Sequence, residues 1–369
     1  MLKLRALVLL LICALLLTAC GRGDAVSAPQ TTAPTAGEKT VSIQATPQEA
    51  KALVIAAATA APTQVPVTPE PTPVLTPVPT PEPTPTPVPR LGVLDGKFKD
   101  KFVTGEPVLI DTAEQKSYQT ETLAIFITHV VDDSKTITNH TYQYFMADVY
   151  FQNMEDFRSS AAKTWAYSDR WATESLETIA RNNNAIFAVS GDFTLTREKG
   201  LILRNGEEIK GKNGSTHQHD PNRDVGVIYR DGHMETYFAK NVPAEEILSD
   251  PDVWQVLGFG PALLDENGQP LTSFSDPNGV SPANIRNVVG YCEPGHYIFV
   301  YVPPYKVRQD RTCLDFESLS QLMSSLGCVR AYNLDGGATA GMCFNGKQVI
   351  GGGLGQDRKN HDIYYIPKA

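Results

Sequence analysis

The sequence predicts an α+β fold: one strand-rich domain with a few packed helices, set behind a long segment that builds no core. Three observations carry this expectation. From Pro62 to Pro89 proline recurs at nearly every second position among Thr and Val, a pattern that excludes helix and sheet ladders and favours extended polyproline II. From Leu91 onward, runs of β-branched and aromatic residues alternate with turn residues, without a regular strand–helix–strand rhythm. A clear amphipathic helix lies late in the chain, with Leu319, Leu322, Met323 and Leu326 on one face and Gly327 as its stop.

The N-terminus reads as a targeting segment. Lys3 and Arg5 precede an apolar run from Leu7 to Leu17 that is too short to span a membrane comfortably. Leu17-Thr18-Ala19-Cys20 then fits the lipobox of a bacterial lipoprotein, so residues 1–20 are expected to be a signal peptide with Cys20 as the lipidated residue. Residues 21–90 are expected to be a disordered spacer, Ala/Thr-rich and then Pro-rich. At ~3.1 Å per residue its proline array reaches on the order of 90 Å. The protein is accordingly expected to be extracytoplasmic and held to the cell membrane by a lipid. Residues 91–369 suffice for one large domain.

Within that domain, Leu123–Val131 and Tyr144–Phe151 read as strands, Thr173–Arg181 as a short helix, and Ala185–Val189 as a buried strand running into Ser190-Gly191-Asp192-Phe193. Val225–Tyr229 and Met234–Phe238 flank Asp231-Gly232 as a hairpin, and Val288–Tyr291 and Tyr297–Val302 form a second pair around Pro294-Gly295. The helix Phe316–Leu326 feeds a strand over Val329–Leu334, which ends in Asn333-Leu334-Asp335-Gly336-Gly337. Asn345-Gly346 marks a further tight hairpin.

Composition narrows the function. A net charge of −9, with no basic stripe interleaved with aromatics, argues against a nucleic-acid partner. Cys292, Cys313, Cys328 and Cys343 lack CxxC spacing, which speaks against a zinc site, and their pairing is not readable from sequence. The HxHD cluster of His217, His219 and Asp220 sits among Gly, Asn, Ser and Pro and reads as a solvated loop. No cofactor is required; a divalent cation between carboxylates is allowed, but no ligand cluster calls for one. Trp165 and Trp171 are compatible equally with stacking on a sugar, with core packing and with a lid.

The residues that carry chemistry stand at strand ends beside glycines. Asp192 follows a buried strand, Arg286 opens another, and Asp335 closes a third. Arginine matches phosphate oxygens in bidentate fashion, and a carboxylate serves as base, nucleophile or hydroxyl clamp. Gly336 and Gly337 let a ligand approach the backbone, and Thr339 supplies a hydroxyl beside them.

The ordered series Ala188-Val189-Ser190-Gly191-Asp192-Phe193, Arg204-Asn205-Gly206, Phe259-Gly260-Pro261, Arg286 with Val289-Gly290, and Asn333-Leu334-Asp335-Gly336-Gly337 resembles the phosphodiester glycosidase family. Asp362-Ile363-Tyr364-Tyr365-Ile366 looks like that family's closing strand. The resemblance implies hydrolysis between the anomeric carbon of a sugar and a phosphate oxygen, in a sugar-phosphate or cell-surface glycan of the exopolysaccharide type. It implies Arg286 at the phosphate, Asp192 and Asp335 at the sugar, Gly191, Gly336 and Gly337 admitting the ligand, and Asn333 and Thr339 hydrogen-bonding it; which of the two carboxylates faces the anomeric carbon is left open. The alternative is a glycan-binding or exopolysaccharide-assembly lipoprotein that uses the same fold without catalysis.

Overall fold

The computed structural model describes residues 97–193, 196, 200–216, 220–276, 279–305, 313–350 and 358–369. Cys20, the signal segment, the proline array and the pair His217/His219 lie outside these residues.

In chain order the strands are β1 (Val108–Asp111), β2 (Lys116–Gln119), β3 (Leu123–Asp132), β4 (Tyr142–Phe151), β5 (Arg158–Ala161), β6 (Ala185–Ser190), β7 (Leu203–Arg204), β8 (Glu207–Glu208) and β9 (Asp224–Tyr229). They continue with β10 (Met234–Phe238), β11 (Val253–Leu257), β12 (Arg286–Glu293), β13 (His296–Val302), β14 (Arg330–Asn333), β15 (Met342–Phe344), β16 (Lys347–Gln348) and β17 (Asp362–Pro367). The helices are α1 (Leu176–Asn182), α2 (Ala244–Ser249) and α3 (Phe316–Ser325). This is the strand-rich α+β architecture expected from the sequence.

Two sheets build the core. One runs β1-β2-β3-β4-β13-β12-β14, the other β16-β15-β6-β17-β5. Their facing sides share one apolar cluster, because side chains alternate along a strand. In β13, Tyr297, Phe299 and Tyr301 enter that shared cluster, while Ile298, Val300 and Val302 point the other way and pack with Leu319, Leu322 and Met323 of α3. The second sheet repeats the arrangement. Phe187, Val189, Tyr364 and Ile366 face the shared core, and Ala188, Cys343, Ile363 and Tyr365 meet Leu176, Ile179 and Ala180 of α1. Each sheet is therefore covered on its outer face by a helix whose apolar stripe was visible as a three- and four-residue spacing. A smaller sheet, β10-β9-β11, has its own cluster around Val225, Val227 and Val256.

Capping decides where the helices begin. α1 starts at Leu176 rather than Thr173, because the Ser175 side chain accepts from the Thr178 amide. Asp315 does the same for α3, accepting from Ser318. The expected hairpins form, and Asn345 and Gly346, with φ of 49° and 77°, make the turn between β15 and β16. The four cysteines among the described residues are free thiols, with the Sγ atoms of Cys292 and Cys328 3.8 Å apart.

Candidate active site

The site forms where the ends of three strands from two sheets are laced together. β14 runs beside β12, and beyond its end the Leu334 amide donates to the Asn287 carbonyl (2.9 Å). The next amide crosses to the other sheet: Asp335 N–H donates to the Gly191 carbonyl at the end of β6 (2.9 Å). Gly337 N–H then returns to Ile285, just before β12 (2.9 Å). The Asp335-Gly336-Gly337 turn thus joins the two sheets at one edge. It demands glycine: a Cβ on Gly336 would sit 2.7 Å from the Ile285 carbonyl oxygen.

Above this turn lies a cavity of about 340 Å³ lined by Phe193, Phe259, Val280, Asn284, Arg286, Asp335, Gly336, Gly337, Ala338 and Arg358. Of the expected residues, Arg286, Asp335, Gly336 and Gly337 come together here. Asp335 is mostly buried, and the Thr339 hydroxyl donates to its Oδ2 (2.7 Å). Arg358 Nη2 stands 3.8 Å from the Asp335 Oδ1, on a side chain that is 58% exposed.

Arg286 is held stiffly. Its Nε donates to the Leu314 carbonyl (3.1 Å), its Nη2 to the carbonyls of Val280 and Pro282 (both 2.6 Å) and Ser281 (3.3 Å), and its guanidinium lies 4.2 Å from the Phe316 ring centroid. Nη1 makes no hydrogen bond among the described residues. Burial lowers the guanidinium pKa to about 10, so Arg286 keeps its charge at neutral pH.

The other expected residues do not line the cavity but stand behind it. Asp192 is fully buried and absent from the lining. Its Oδ2 accepts from Arg204 Nη2 (2.9 Å), the Gly258 amide (2.9 Å) and the Tyr364 hydroxyl (2.7 Å). A buried carboxylate needs such donors, and Arg204 supplies the opposite charge. Burial works against the Arg204 charge, and Tyr364, Asp192 and Asp362 together more than reverse it, leaving its pKa raised. Asp362 fixes the turn itself, its Oδ2 accepting from the Asp192 amide (3.1 Å) and its Oδ1 from that of Phe193 (2.9 Å). Gly191 serves this packing rather than a ligand, since a Cβ there would lie 2.5 Å from Asp362 Oδ2. Asn333 is buried and spends its amide on the Gly260 carbonyl (2.8 Å). Thr339 orients Asp335 from behind.

Sequence reasoning missed Arg358, Asn284 and the two aromatic walls as site residues. Phe193 and Phe259 stood inside motifs without a role. Arg358 follows a glycine-rich run and precedes β17, which the fold pairs with β6, the strand that ends at Gly191. Among the described residues no group of three or more His, Cys, Asp or Glu side chains is placed to hold a metal ion.

Fold and site together define a two-sheet α+β protein with an anion-competent pocket at a glycine-bearing strand end. Residues 183–365, which contain the entire site, match the family model of the phosphodiester glycosidases. The catalytic domain of zebrafish N-acetylglucosamine-1-phosphodiester α-N-acetylglucosaminidase, auto-inhibited by its pro-peptide, shares the fold. It has 16% identity and a TM-score of 0.50 over 72% of this chain and 89% of that one. A hypothetical protein from Synechocystis aligns with a TM-score of 0.45 and 14% identity over 69% of this chain and 64% of that one. The prophage-derived protein YomE of Bacillus subtilis is 23% identical over 260 residues, or 68% of this chain; that alignment spans 37% of YomE.

Proposed function

We propose that this domain hydrolyses a sugar-1-phosphodiester, cleaving the bond between the anomeric carbon and the phosphate oxygen. The observation that supports it is the composition of the cavity: two guanidinium groups, Arg286 and Arg358, beside the single carboxylate of the described lining, Asp335. Guanidinium pairs fit a phosphodiester, and a carboxylate in the same cavity suits work on the adjacent carbon. Arg286 and Arg358 hold the phosphate and neutralise charge that builds on it as the bond breaks. Asp335, oriented by Thr339, takes a proton from water as the water oxygen attacks the anomeric carbon. The C–O bond breaks towards phosphate, giving free sugar and a phosphomonoester.

One carboxylate suffices for this leaving group. A phosphomonoester has a second pKa of ~6, so it departs without the acid that a sugar alkoxide requires. Direct attack by water inverts the anomeric configuration. In this reading Asp192, with Arg204 and Asp362, positions the Phe193 wall and the Gly191 carbonyl that anchors Asp335.

Purified domain given a methyl hexosyl-1-phosphate diester should release free hexose and methyl phosphate with inversion, followed by NMR. Asp335→Asn should lower the rate roughly 10²–10⁴-fold. Saturable glycan binding without product across a panel of sugar-1-phosphodiesters would sink this reading in favour of the non-catalytic alternative.

The natural setting we propose is the outer surface of the cell membrane, with a lipid on Cys20, the proline array as spacer and a surface polysaccharide as substrate. Cys20→Ser should move the full chain from the membrane fraction to the soluble fraction; unchanged membrane association would overturn the anchor.

A further inference from the structure

Trp171 stands apart from the other large apolar side chains. It is 63% exposed, whereas the remaining exposed ones among the described residues are three valines. It is carried by a braced loop. Asp169 Oδ1 pairs with Lys163 (2.9 Å), its Oδ2 accepts from the Thr164 hydroxyl (2.6 Å), and its carbonyl accepts from the Ala172 amide (2.8 Å). Arg170 is fixed in the same loop. Its Nη1 donates to the Tyr167 carbonyl (2.9 Å), and its guanidinium lies 4.0 Å from the Tyr167 ring centroid and 5.4 Å from that of Trp171. The result is a rigid aromatic surface with a guanidinium beside it, which the fold leaves open to solvent.

Its position links it to the cavity. Both ends of the loop are stitched to the segment that carries Arg358: Ala162 N–H donates to the His361 carbonyl (2.7 Å), and Glu174 and Asn360 exchange backbone bonds of 3.0 and 2.8 Å. The Arg358 amide in turn donates to the carbonyl of Ala338 in the cavity lining (3.0 Å). From the other side, the His361 ring meets the Phe193 wall edge-on, with centroids 4.7 Å apart, and lies by the carbonyls of Arg170 and Ala172. Trp171 is therefore carried by a loop bonded at both ends to the segment that bears Arg358, and that segment touches the Phe193 wall through His361.

We propose that Trp171 and Arg170 form a second subsite that binds the next sugar-phosphate unit on the leaving-group side of an extended substrate. The inference rests on the sugar-1-phosphodiester reading of the pocket. A sugar ring offers an apolar C–H face that lies flat on an indole, and its phosphate pairs with a guanidinium. Trp, Tyr and Arg are the side chains that dominate binding energy when they are rigidly held at a surface. A substrate with its first phosphate between Arg286 and Arg358 leaves the pocket across Arg358, towards this surface. Trp171 and Arg170 act on affinity for long substrates and not on the reacting atoms.

The test compares a synthetic three-unit hexosyl-phosphate oligomer with the methyl hexosyl-1-phosphate diester. Trp171→Ala, an exposed position whose loss spares the core, should raise KM for the oligomer roughly tenfold, equivalent to ~1.4 kcal/mol. KM for the methyl diester and kcat for both should stay unchanged. Equal effects on the two substrates, or no effect on either, overturn the subsite. A second readout does not depend on turnover. In the Asp335→Asn protein the oligomer should change tryptophan emission, and Trp171→Phe should abolish the change although Trp165 and Trp254 remain. Oligomer binding with that signature but no hydrolysis by the parent protein keeps the subsite and defeats the catalytic reading. Hydrolysis of the methyl diester with no Trp171-dependent preference for the oligomer does the reverse.

Discussion

Two charged clusters lie back to back at the same strand ends, and they are built from the same residue types. Behind the Gly191 turn, Arg204, Asp192, Asp362 and Tyr364 are sealed from solvent. Arg204 donates to Asp192, to the Leu203 carbonyl and to the Val256 carbonyl, and its Nη2 lies 3.9 Å from Asp362. In front of the turn, Asp335 faces a cavity with Arg286 at its wall and an exposed Arg358 on its rim. An arginine and an aspartate at a strand end therefore do not identify a site by themselves. In the rear cluster the charges are consumed by one another, and the cluster holds the chain together. In the front one Asp335, Arg286 and Arg358 line a cavity that a ligand can enter.

Removing the rear cation tests this contrast most severely. Arg204→Met would leave Asp192 and Asp362 buried beside each other without a positive charge, and breaking such a pair from one side costs about 3–5 kcal/mol. For a domain of this size that is a fall in Tm on the order of 10 °C, read by thermal unfolding. Asp335→Asn, by contrast, should cost catalysis heavily and stability by less than about 1 kcal/mol, because a cavity-facing carboxamide keeps an acceptor for Thr339. A Tm for Arg204→Met within about 2 °C of the parent, or a large drop for Asp335→Asn, would erase the distinction between the two clusters.

The limits of sequence reading follow the same line. Alternation in β13 and β17 and the spacing in α3 are local, so strands, helix and hairpins were legible to within a few residues. Asp335, Gly336, Gly337 and Arg286 were legible because glycines beside a charged strand end restrict what the backbone does there. The inward turn of Asp192 was not, since it depends on Tyr364 and Asp362 arriving from β17 more than 160 residues later and pairing with β6. Arg358 was hidden for the same reason: it enters the cavity only because its amide meets Ala338 across a join no local pattern encodes. Trp171 presented the opposite problem, a residue whose type was suggestive but whose exposure only the packed loop reveals.

Asp224 is an intermediate case that sharpens the comparison by the smallest effect. It supports the turn bearing Phe259, with its Oδ2 accepting from the Ala262 amide (3.0 Å), and no cation pairs with it among the described residues. Burial outweighs that one hydrogen bond and raises its pKa from 3.8 to about 6. The folded protein therefore holds a proton here that the unfolded chain has released between about pH 4 and 6. The stability this group contributes is complete below about pH 4 and is lost as pH rises through 6. Asp224→Asn keeps an acceptor for Ala262 without a charge to desolvate. Relative to the parent it should gain about 1–3 kcal/mol between pH 4 and pH 7, read as the divergence of urea midpoints at the two pH values. Other raised carboxylates, Asp156 and Asp362, tilt both curves equally and cancel in the difference. Parallel curves would mean that solvent or a donor reaches Asp224 and that it belongs with the satisfied cluster. Divergence would show that, at this edge of the fold, a carboxylate met by one N–H and no guanidinium settles its burial by taking up a proton.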